Sequence, residues 1–200
     1  VVIELLDARI PRSSANPVII ELINQKPHII LLNKVDLADP AATKEWTEFL
    51  ASKGITVLAI DSKSGKGNKA LIRAVEQLSK PIIERWLNKG IRSRSIRTII
   101  LGIPNVGKST LINSLAGSAA TRTANKAGHT RGQQWVKIGK NMELLDTPGV
   151  LWPKLEDQRA AARLAMTGAI SDDVYDLENV MKQLLGHLKD NTPEILVERY

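Results

Sequence analysis

A glycine-rich segment, Gly102–Thr110, constrains the possible folds of this 200-residue chain more than any other feature of its sequence. It fits the pattern G-x-x-x-x-G-K-[S/T], follows the β-branched run Ile96–Leu101 and leads into a helical pattern over Lys108–Leu115. The glycines allow the backbone to curl so that its N–H groups point at phosphate oxygens, and the helix N-terminus adds partial positive charge. The sequence therefore predicts a phosphate-binding loop between a strand and a helix.

The polar residues of this loop have expected partners on a bound nucleotide. We expect the Lys108 ammonium to reach the β- and γ-phosphates and to act in catalysis, and the Ser109 hydroxyl to ligate Mg²⁺. Nucleotide contacts are expected along the whole segment: Pro104, Asn105, Val106, Gly107, Lys108, Ser109 and Thr110.

Short apolar runs alternate with helical patterns over the first part of the chain, which is typical of an α/β fold whose mostly parallel sheet carries helices on both faces. Strands are predicted at Val1–Leu6, His28–Leu32, Thr56–Ile60 and Ile96–Leu101, and helices at Pro17–Gln25, Pro40–Lys53 and Asn68–Leu78. Two later runs, Gln133–Ile138 and Met142–Leu145, predict a hairpin that adds one antiparallel edge.

The chain changes character after Trp152. From there the apolar spacing is helical, with helices predicted at Glu156–Met166, Asp176–Leu188 and Pro193–Arg199. Residues 1–152 carry a net charge of +10, and residues 153–200 carry a net charge of −3. We therefore predict a nucleotide-binding domain at 1–152 and a small all-helical domain at 153–200, which we expect to be cut short.

A second motif, Asp146-Thr147-Pro148-Gly149, follows the strand predicted at Met142–Leu145. A carboxylate at the end of a strand beside a phosphate-binding loop can hold the coordination shell of Mg²⁺, which makes Asp146 a candidate metal residue. Gly149 can offer its backbone N–H to the γ-phosphate, because no side chain blocks the approach. By itself D-x-x-G is often only a turn, but after a phosphate-binding loop it predicts a nucleotide triphosphatase.

The segment Asn33-Lys34-Val35-Asp36 directly follows the strand predicted at His28–Leu32 and supplies candidate base contacts. Asp36 can accept hydrogen bonds from N1–H and the N2 amino group of guanine, a donor pair that adenine lacks. We expect Lys34 to lie over the base and Asn33 to tie this loop to the phosphate-binding loop. Standing alone, the motif would more simply be an Asn-Lys turn after a strand.

A third segment, Asp61-Ser62-Lys63, follows the next predicted strand and strengthens the guanine interpretation. We expect the Ser62 backbone N–H to meet O6 of guanine and the Lys63 stem to cover the base. Together the segments predict binding of GTP and GDP.

The order of these motifs differs from that in an ordinary small GTPase, where the phosphate-binding loop comes first. Here the base motifs at 33–36 and 61–63 precede the loop at 102–110 and the D-x-x-G motif at 146–149. The sequence therefore predicts a circularly permuted GTPase, in which Lys80–Arg97 joins the two ends of the ordinary fold. Permutation is physically accessible where the termini of a domain lie close together at its surface.

Several segments closely resemble the YlqF/RbgA family of ribosome-biogenesis GTPases. They are Asp7-Ala-Arg-Ile-Pro11, Asn33-Lys-Val-Asp36, Gly102–Thr110, Gln133-Gln-Trp-Val136, Leu145–Pro153 and Thr167-Gly-Ala-Ile170. The resemblance implies a GTP-hydrolysing factor that acts on the large (50S) ribosomal subunit and its rRNA, in the bacterial cytoplasm or in an organelle. We also expect a monomer with no membrane partner.

The residues expected around the γ-phosphate predict slow hydrolysis that a ribosomal particle stimulates. Val150 stands where many GTPases have a water-orienting Gln. Family members begin with an aromatic-Pro-Gly-His segment whose His is implicated in hydrolysis, and the sequence from Val1 onward does not contain it. Thr130 is expected to be the first-switch threonine that closes on Mg²⁺ and the γ-phosphate, whereas His129 is interpreted as a solvent-facing loop residue.

Asn105 has two open interpretations. It can bind K⁺ near the β/γ bridge, as in related permuted GTPases, where the cation would supply the charge of an arginine finger. It can equally serve hydrogen bonding within the loop.

Two basic stretches predict a polyanionic partner. The stretch between Ser118 and Asn141 has five basic residues and no acid, and Lys80–Arg97 has six basic residues and one acid. The first contains the expected switch, so RNA contact there would make RNA affinity depend on the nucleotide. A solvated charged face is the alternative for each stretch.

Composition narrows the remaining alternatives. The chain has no cysteine, which argues against the permuted GTPases of the small subunit that carry a Cys/His zinc module. A P-loop small-molecule kinase is disfavoured by the guanine motifs. A nucleotide-sensing module with negligible turnover stays open as the second hypothesis.

Overall fold

The computed structural model describes residues 1–23, 26–91, 94–118, 134–139, 141–149, 151, 157–171 and 175–199. The chain forms two compact units, Val1–Trp152 and Pro153–Tyr200.

The first unit is a six-stranded sheet with helices between its strands. Its strands are β1 (Val2–Asp7), β2 (His28–Asn33), β3 (Thr56–Ala59), β4 (Ile96–Leu101), β5 (Gln134–Ile138) and β6 (Met142–Asp146). Its helices are α1 (Pro11–Ser14), α2 (Pro17–Ile23), α3 (Pro40–Ser52), α4 (Asn68–Asn88) and α5 (Lys108–Ser118), with a 3₁₀ turn at Val35–Leu37.

The strand order is β3-β2-β1-β4-β6-β5, and only the β5–β6 pair is antiparallel. The predicted fold class, a mostly parallel sheet with one antiparallel edge, is therefore confirmed. Since the carboxyl ends of parallel strands meet at one edge of a sheet, the loops after β1, β2, β3, β4 and β6 lie along that edge.

The core lies at the centre of this sheet. All six residues of β1 are buried, as a central strand covered on both faces requires. Large apolar side chains of β1, of the neighbouring strands and of α5 are fully buried: Ile3, Leu5, Ile29, Leu31, Ile100, Leu111, Ile112 and Leu115.

Helix α4 is longer than the sequence predicts. We expected a helix over Asn68–Leu78 and a separate connection from Lys80 onward, but the helix continues through Pro81 to Asn88. Proline removes one helical hydrogen bond, yet the amphipathic spacing persists beyond it, with Ile82 and Trp86 half-buried. Packing of that apolar face outweighs the cost of the proline.

The second unit is helical over its described residues, with α6 (Gln158–Met166), α7 (Leu177–Asn191) and α8 (Pro193–Arg199). Carboxylate caps fix two of the starts, because Asp157 accepts from the backbone N–H groups of Arg159 and Ala160, and Asp176 from that of Asn179. Its buried apolar side chains are Ala162, Leu164, Ala165, Ala169, Ile170 and Val180. Among the described residues no helix combines the length and apolar character needed to cross a membrane.

Candidate nucleotide-binding site

The phosphate-binding loop connects β4 to α5, as predicted. Lys108, the first residue of α5, is buried, and its Nζ donates to the carbonyl oxygens of Gly102 (2.9 Å) and Ile103 (2.8 Å). Burial lowers the pKa of Lys108 to about 8, and the nearby Asp146 carboxylate opposes part of this shift. A phosphate, which is a stronger acceptor than a carbonyl, would therefore draw this ammonium away from its own loop.

The loop after β2, Asn33–Asp36, which we call the base loop, meets the phosphate-binding loop at Gly107. The Gly107 backbone has a φ of 107°, and a Cβ there would overlap Nδ2 of Asn33. The missing side chain lets Asn33 Nδ2 donate to the Val106 carbonyl oxygen at 2.8 Å. This hydrogen bond confirms the prediction that Asn33 ties the two loops together.

The amide oxygen of Asn33 holds the third loop. It accepts the backbone N–H of Ser62 at 3.0 Å and the Ser62 hydroxyl at 2.8 Å, and both residues are buried. The contact between the Ser62 N–H and O6 of guanine stays a prediction, and in this structure that N–H donates to Asn33. Ser62 thereby joins the loops that follow β2 and β3.

The rest of the third loop is closed on itself. The Asp61 carboxylate accepts the backbone N–H of Lys63 at 2.8 Å and that of Ser64 at 3.3 Å. Hydrogen bonding to Ser64 lowers the pKa of Asp61 from its ordinary value, against a small opposing effect of burial. The Lys63 side chain is exposed at this edge, where the predicted cover for a base would have to lie.

Lys34 bridges the base loop and the phosphate-binding loop. It adopts a left-handed conformation (φ 65°), and its Nζ donates to the Asn105 carbonyl oxygen at 2.8 Å and to Asp7 Oδ2 at 3.0 Å. Asp36 lies two residues further on, exposed on the 3₁₀ turn. Its carboxylate is therefore accessible to a ligand, as base recognition requires.

Sequence reasoning did not assign Asp7 to this site. It ends β1 with a side chain only 3% exposed, and it accepts hydrogen bonds from both Lys34 and Arg9. The available signal was an acidic residue at the end of a mostly apolar buried strand, since a buried carboxylate needs a cationic partner.

Two of the three predicted Mg²⁺ residues, Asp146 and Ser109, lie at the end of β6, the strand beside β4, and at the start of α5. Asp146 ends β6 and is buried beside Lys108, and Ser109 is the second residue of α5. One carboxylate and one hydroxyl suit Mg²⁺, which takes few protein oxygens and fills its shell with phosphates and water. Within the described ranges no three His, Cys, Asp or Glu side chains form a metal-binding group.

Gly149 lies directly against the phosphate-binding loop. A Cβ at this position would be 2.7 Å from both the backbone N and the Cα of Pro104. Thr147, two residues earlier, anchors the segment by donating its hydroxyl to the Ile100 carbonyl oxygen. The D-x-x-G motif and the phosphate-binding loop therefore approach each other backbone to backbone.

The remaining predicted residues divide into described and undescribed ones. Asn105 is exposed in a left-handed conformation (φ 56°), and Thr110 is exposed in the first turn of α5. Thr130, His129 and Val150 lie outside the described residues.

Comparison with known proteins agrees with this geometry. The family model described as "50S ribosome-binding GTPase" matches residues 97–199. Ribosome biogenesis GTPase A of Bacillus pumilus is 50% identical over 200 residues, covering 100% of this chain and 71% of that protein. Short integuments 2, mitochondrial, of Arabidopsis thaliana is 34% identical over 200 residues, covering 94% of this chain and 50% of that protein.

Solved structures give the same result. GNP-bound YlqF from Thermotoga maritima superimposes with a TM-score of 0.66 at 28% identity, covering 94% of this chain and 69% of that one. GDP-bound YlqF gives a TM-score of 0.65 at 28% identity, with 94% and 70% coverage.

Fold and site together define a P-loop GTPase whose motifs follow a permuted order along the chain. Guanine-nucleotide binding and GTP hydrolysis are the activities of this class. The chain belongs to the ribosome biogenesis GTPase A family.

Proposed function

We propose that this chain hydrolyses GTP to GDP and phosphate as an assembly factor of the large ribosomal subunit. The observation that carries the proposal is the Asn33 junction, which joins the guanine-type loop after β2 to the phosphate-binding loop through a 2.8 Å hydrogen bond. Family membership supplies the ribosomal context.

Hydrolysis takes place at the phosphate half of the site, which consists of residues 102–110 and 146–149. Lys108 and the loop backbone hold the β- and γ-phosphates, and the Gly149 N–H meets the γ-phosphate as its charge develops. Ser109, Asp146 and Thr130 would hold Mg²⁺, which would supply positive charge to the phosphates as the γ-phosphoryl group is transferred.

Hydrolysis is proposed to be slow in isolation and stimulated by the ribosomal particle. The support is Val150, whose side chain can neither donate nor accept a hydrogen bond to the attacking water. Single-turnover hydrolysis, measured with and without large subunits, tests this step. If turnover stays negligible in both conditions, the alternative of a nucleotide-sensing module is correct instead.

Asn105 is proposed to bind K⁺ beside the β/γ bridge. Its support is an exposed position on the loop with the left-handed backbone (φ 56°) that turns the loop at this residue. GTP turnover should be faster in KCl than in NaCl, and Asn105→Ala should abolish that difference. A difference that survives the substitution would favour loop hydrogen bonding as the role of Asn105.

The partner surface is proposed to include the basic end of α4 and the start of β4. Basic side chains are exposed there, namely Lys80, Arg85, Lys89, Arg94 and Arg97. Arg97 also stacks on the half-exposed Trp135 ring at 5.1 Å, which places an aromatic surface beside the cations. Cations next to an aromatic surface suit contact with rRNA.

Co-sedimentation with purified 30S and 50S particles, in GDP and in a non-hydrolysable GTP analogue, tests the partner. We expect binding to 50S that is stronger with the analogue. Charge reversal at Lys80 and Lys89 should weaken it, whereas Lys44→Glu on α3 is the matched control. Binding only to 30S, or equally with both nucleotides, would overturn the proposal.

The assembly state and location follow as lesser proposals. We propose a monomer that works where ribosomes are assembled, the cytoplasm of a bacterium or the interior of an organelle. Light scattering during gel filtration measures the first, and a stable dimer at micromolar concentration would contradict it.

A further inference from the structure

An ion-pair cluster around the buried Asp7 carboxylate lies beside the base loop, and its role is not yet assigned. Asp7 Oδ1 accepts Nε of Arg9 at 2.9 Å, and Asp7 Oδ2 accepts Nη2 of Arg9 at 2.7 Å. The backbone N–H of Arg9 also donates to Asp7 Oδ1, at 3.1 Å. A planar guanidinium held by both oxygens of a carboxylate has little freedom to reorient.

Asp7 binds Lys34 of the base loop in addition to Arg9. Its Oδ2 accepts Lys34 Nζ at 3.0 Å, and β1 is in register with β2 so that Asp7 lies opposite Asn33. Burial alone would raise the pKa of Asp7, but hydrogen bonds from Arg9 and Lys34 lower it below its ordinary value. Asp7 therefore stays ionised and pairs with two cationic side chains, Arg9 and Lys34, at the start of the Asn33–Asp36 loop.

The segment that carries Arg9 runs beside the loop that carries Asp36, the carboxylate proposed to recognise guanine. This segment is fastened to the base loop, since the Ala8 N–H donates to the Asn33 carbonyl oxygen at 2.8 Å. Hydrogen bonding to Asp7 and, to a smaller extent, attraction by Asp36 raise the pKa of Arg9. Asp36 itself is exposed on a short turn, where a fixed positive charge nearby can orient its carboxylate.

We propose that Asp7 and Arg9 form a specificity-determining element of the guanine pocket, in which Asp7 fixes Arg9 and Lys34 and the Arg9 charge orients Asp36 toward the base. The inference rests on the proposed role of Asp36 in recognising guanine. Both are positioning residues, because neither needs to touch the nucleotide. Orienting Asp36 before binding reduces the entropy lost when guanine is captured.

Inosine diphosphate (IDP) separates this role from a merely structural one. Its base lacks the N2 amino group of guanine and otherwise presents the same edge, so the ratio of GDP to IDP affinity reports how well Asp36 engages that group. A general weakening of the fold would lower both affinities and leave the ratio unchanged.

Two substitutions distinguish the charge of Arg9 from its hydrogen bonds. Arg9→Gln keeps an N–H donor for Asp7 but removes the charge, and Arg9→Lys keeps the charge. Dissociation constants for GDP and IDP are measured by displacement of a fluorescent GDP. We expect Arg9→Gln to lower the GDP:IDP affinity ratio by about tenfold and Arg9→Lys to recover most of that loss.

Arg12→Gln, on the exposed surface of α1, is the matched control and should keep the ratio of the unmodified protein. An unchanged ratio in Arg9→Gln, or an equal loss in Arg9→Lys, would overturn the proposal. Unfolding temperatures recorded for each variant show that the fold is intact.

A variant at Asp36 distinguishes a failure of the proposed base recognition from a failure of the proposed role of Arg9. Asp36→Ala should abolish the preference for GDP, and adding Arg9→Gln to it should change neither affinity further. A GDP preference that survives Asp36→Ala means that the proposed base recognition fails. A preference that disappears in Asp36→Ala but persists in Arg9→Gln means that only the role of Arg9 fails.

Discussion

The two halves of the nucleotide site are built from different groups. The base half consists of the loops after β1, β2 and β3, where side chains bond to side chains: Asp7 to Arg9 and Lys34, and Asn33 to Ser62. The phosphate half consists of residues 102–110 and 146–149, where the backbone makes the contacts. Lys108 donates to main-chain carbonyls there, and Gly149 lies against the Pro104 backbone.

We infer from this difference that the base half determines selectivity for guanine, whereas the phosphate half supplies most of the affinity for the nucleotide. A network of buried, charge-assisted hydrogen bonds fixes the base half before any ligand arrives. The phosphate half instead holds a partly desolvated ammonium on neutral carbonyls, which phosphate oxygens can replace. Asn33 and Lys34 each bond to both halves, Asn33 through Val106 and Ser62 and Lys34 through Asn105 and Asp7.

Removing the charge of the phosphate half should have the largest effect. Lys108→Ala is expected to weaken GDP binding by roughly 100-fold or more, since a hydrogen bond to a charged group contributes about 1.5–3 kcal/mol and Lys108 makes more than one. The remaining binding should still prefer GDP to ADP, because the base half is intact. Fluorescent-nucleotide displacement measures both quantities.

Lys44→Ala, an exposed lysine on α3 paired with Glu48, is the control for Lys108→Ala and should bind GDP normally. If the guanine preference of Lys108→Ala disappeared together with its affinity, the two halves would not be separable.

Cutting the Asn33 link between the halves should have the second-largest effect. Asn33→Asp keeps an acceptor for Ser62 but replaces the donor to the Val106 carbonyl with a second oxygen. We expect a loss of about 1–3 kcal/mol in the free energy of unfolding and a roughly tenfold loss in GDP affinity. Denaturant titration and nucleotide displacement measure the two effects.

Ser62→Ala tests the other side of the Asn33 junction. It removes one hydroxyl and leaves the Ser62 N–H bonded to Asn33. We therefore expect the free energy of unfolding to fall by about 1 kcal/mol. A larger loss of GDP affinity in Ser62→Ala than in Asn33→Asp would reverse the assignment of which bond matters.

How far the sequence predicts this site depends on how local each contact is. The strand–loop–helix around Lys108 and the Asn33 link follow from spacing, because the glycines and the start of α5 leave the backbone few alternatives. The Asp7 cluster depends on register between β1 and β2, which residue types do not reveal. The bond from the Ser62 N–H to Asn33 was not predicted, because it depends on how the loops after β2 and β3 pack together.

A side chain at the contact between the D-x-x-G motif and the phosphate-binding loop should affect the triphosphate selectively. Gly149→Ala places a Cβ 2.7 Å from the Pro104 backbone, so the segment must move away from the γ-phosphate position. We expect affinity for a GTP analogue and single-turnover hydrolysis to fall about tenfold, with GDP affinity nearly unchanged.

Gly117→Ala in α5 is the matched control for Gly149→Ala, because a Cβ there meets nothing within 4 Å. It should leave nucleotide affinity unchanged and slightly favour the helix. Equal losses of GDP and GTP-analogue affinity in Gly149→Ala would show that the contact supports the loop generally rather than the γ-phosphate.

The smallest effect expected is a proton taken up when nucleotide binds. Burial lowers the pKa of Lys108 to about 8 from 10.5, so near pH 8.5 this side chain is mostly neutral before binding. Adjacent phosphates favour the charged form and raise its pKa, so GDP binding should take up a fraction of a proton there. Near pH 7 the ammonium is already charged, and uptake at Lys108 should be much smaller.

Calorimetric titration with GDP in two buffers of different ionisation enthalpy measures the number of protons taken up. Equal binding enthalpies in both buffers near pH 8.5 would mean that Lys108 is charged before nucleotide arrives, and the contrast between a rigid base half and an exchangeable phosphate half would lose its electrostatic basis.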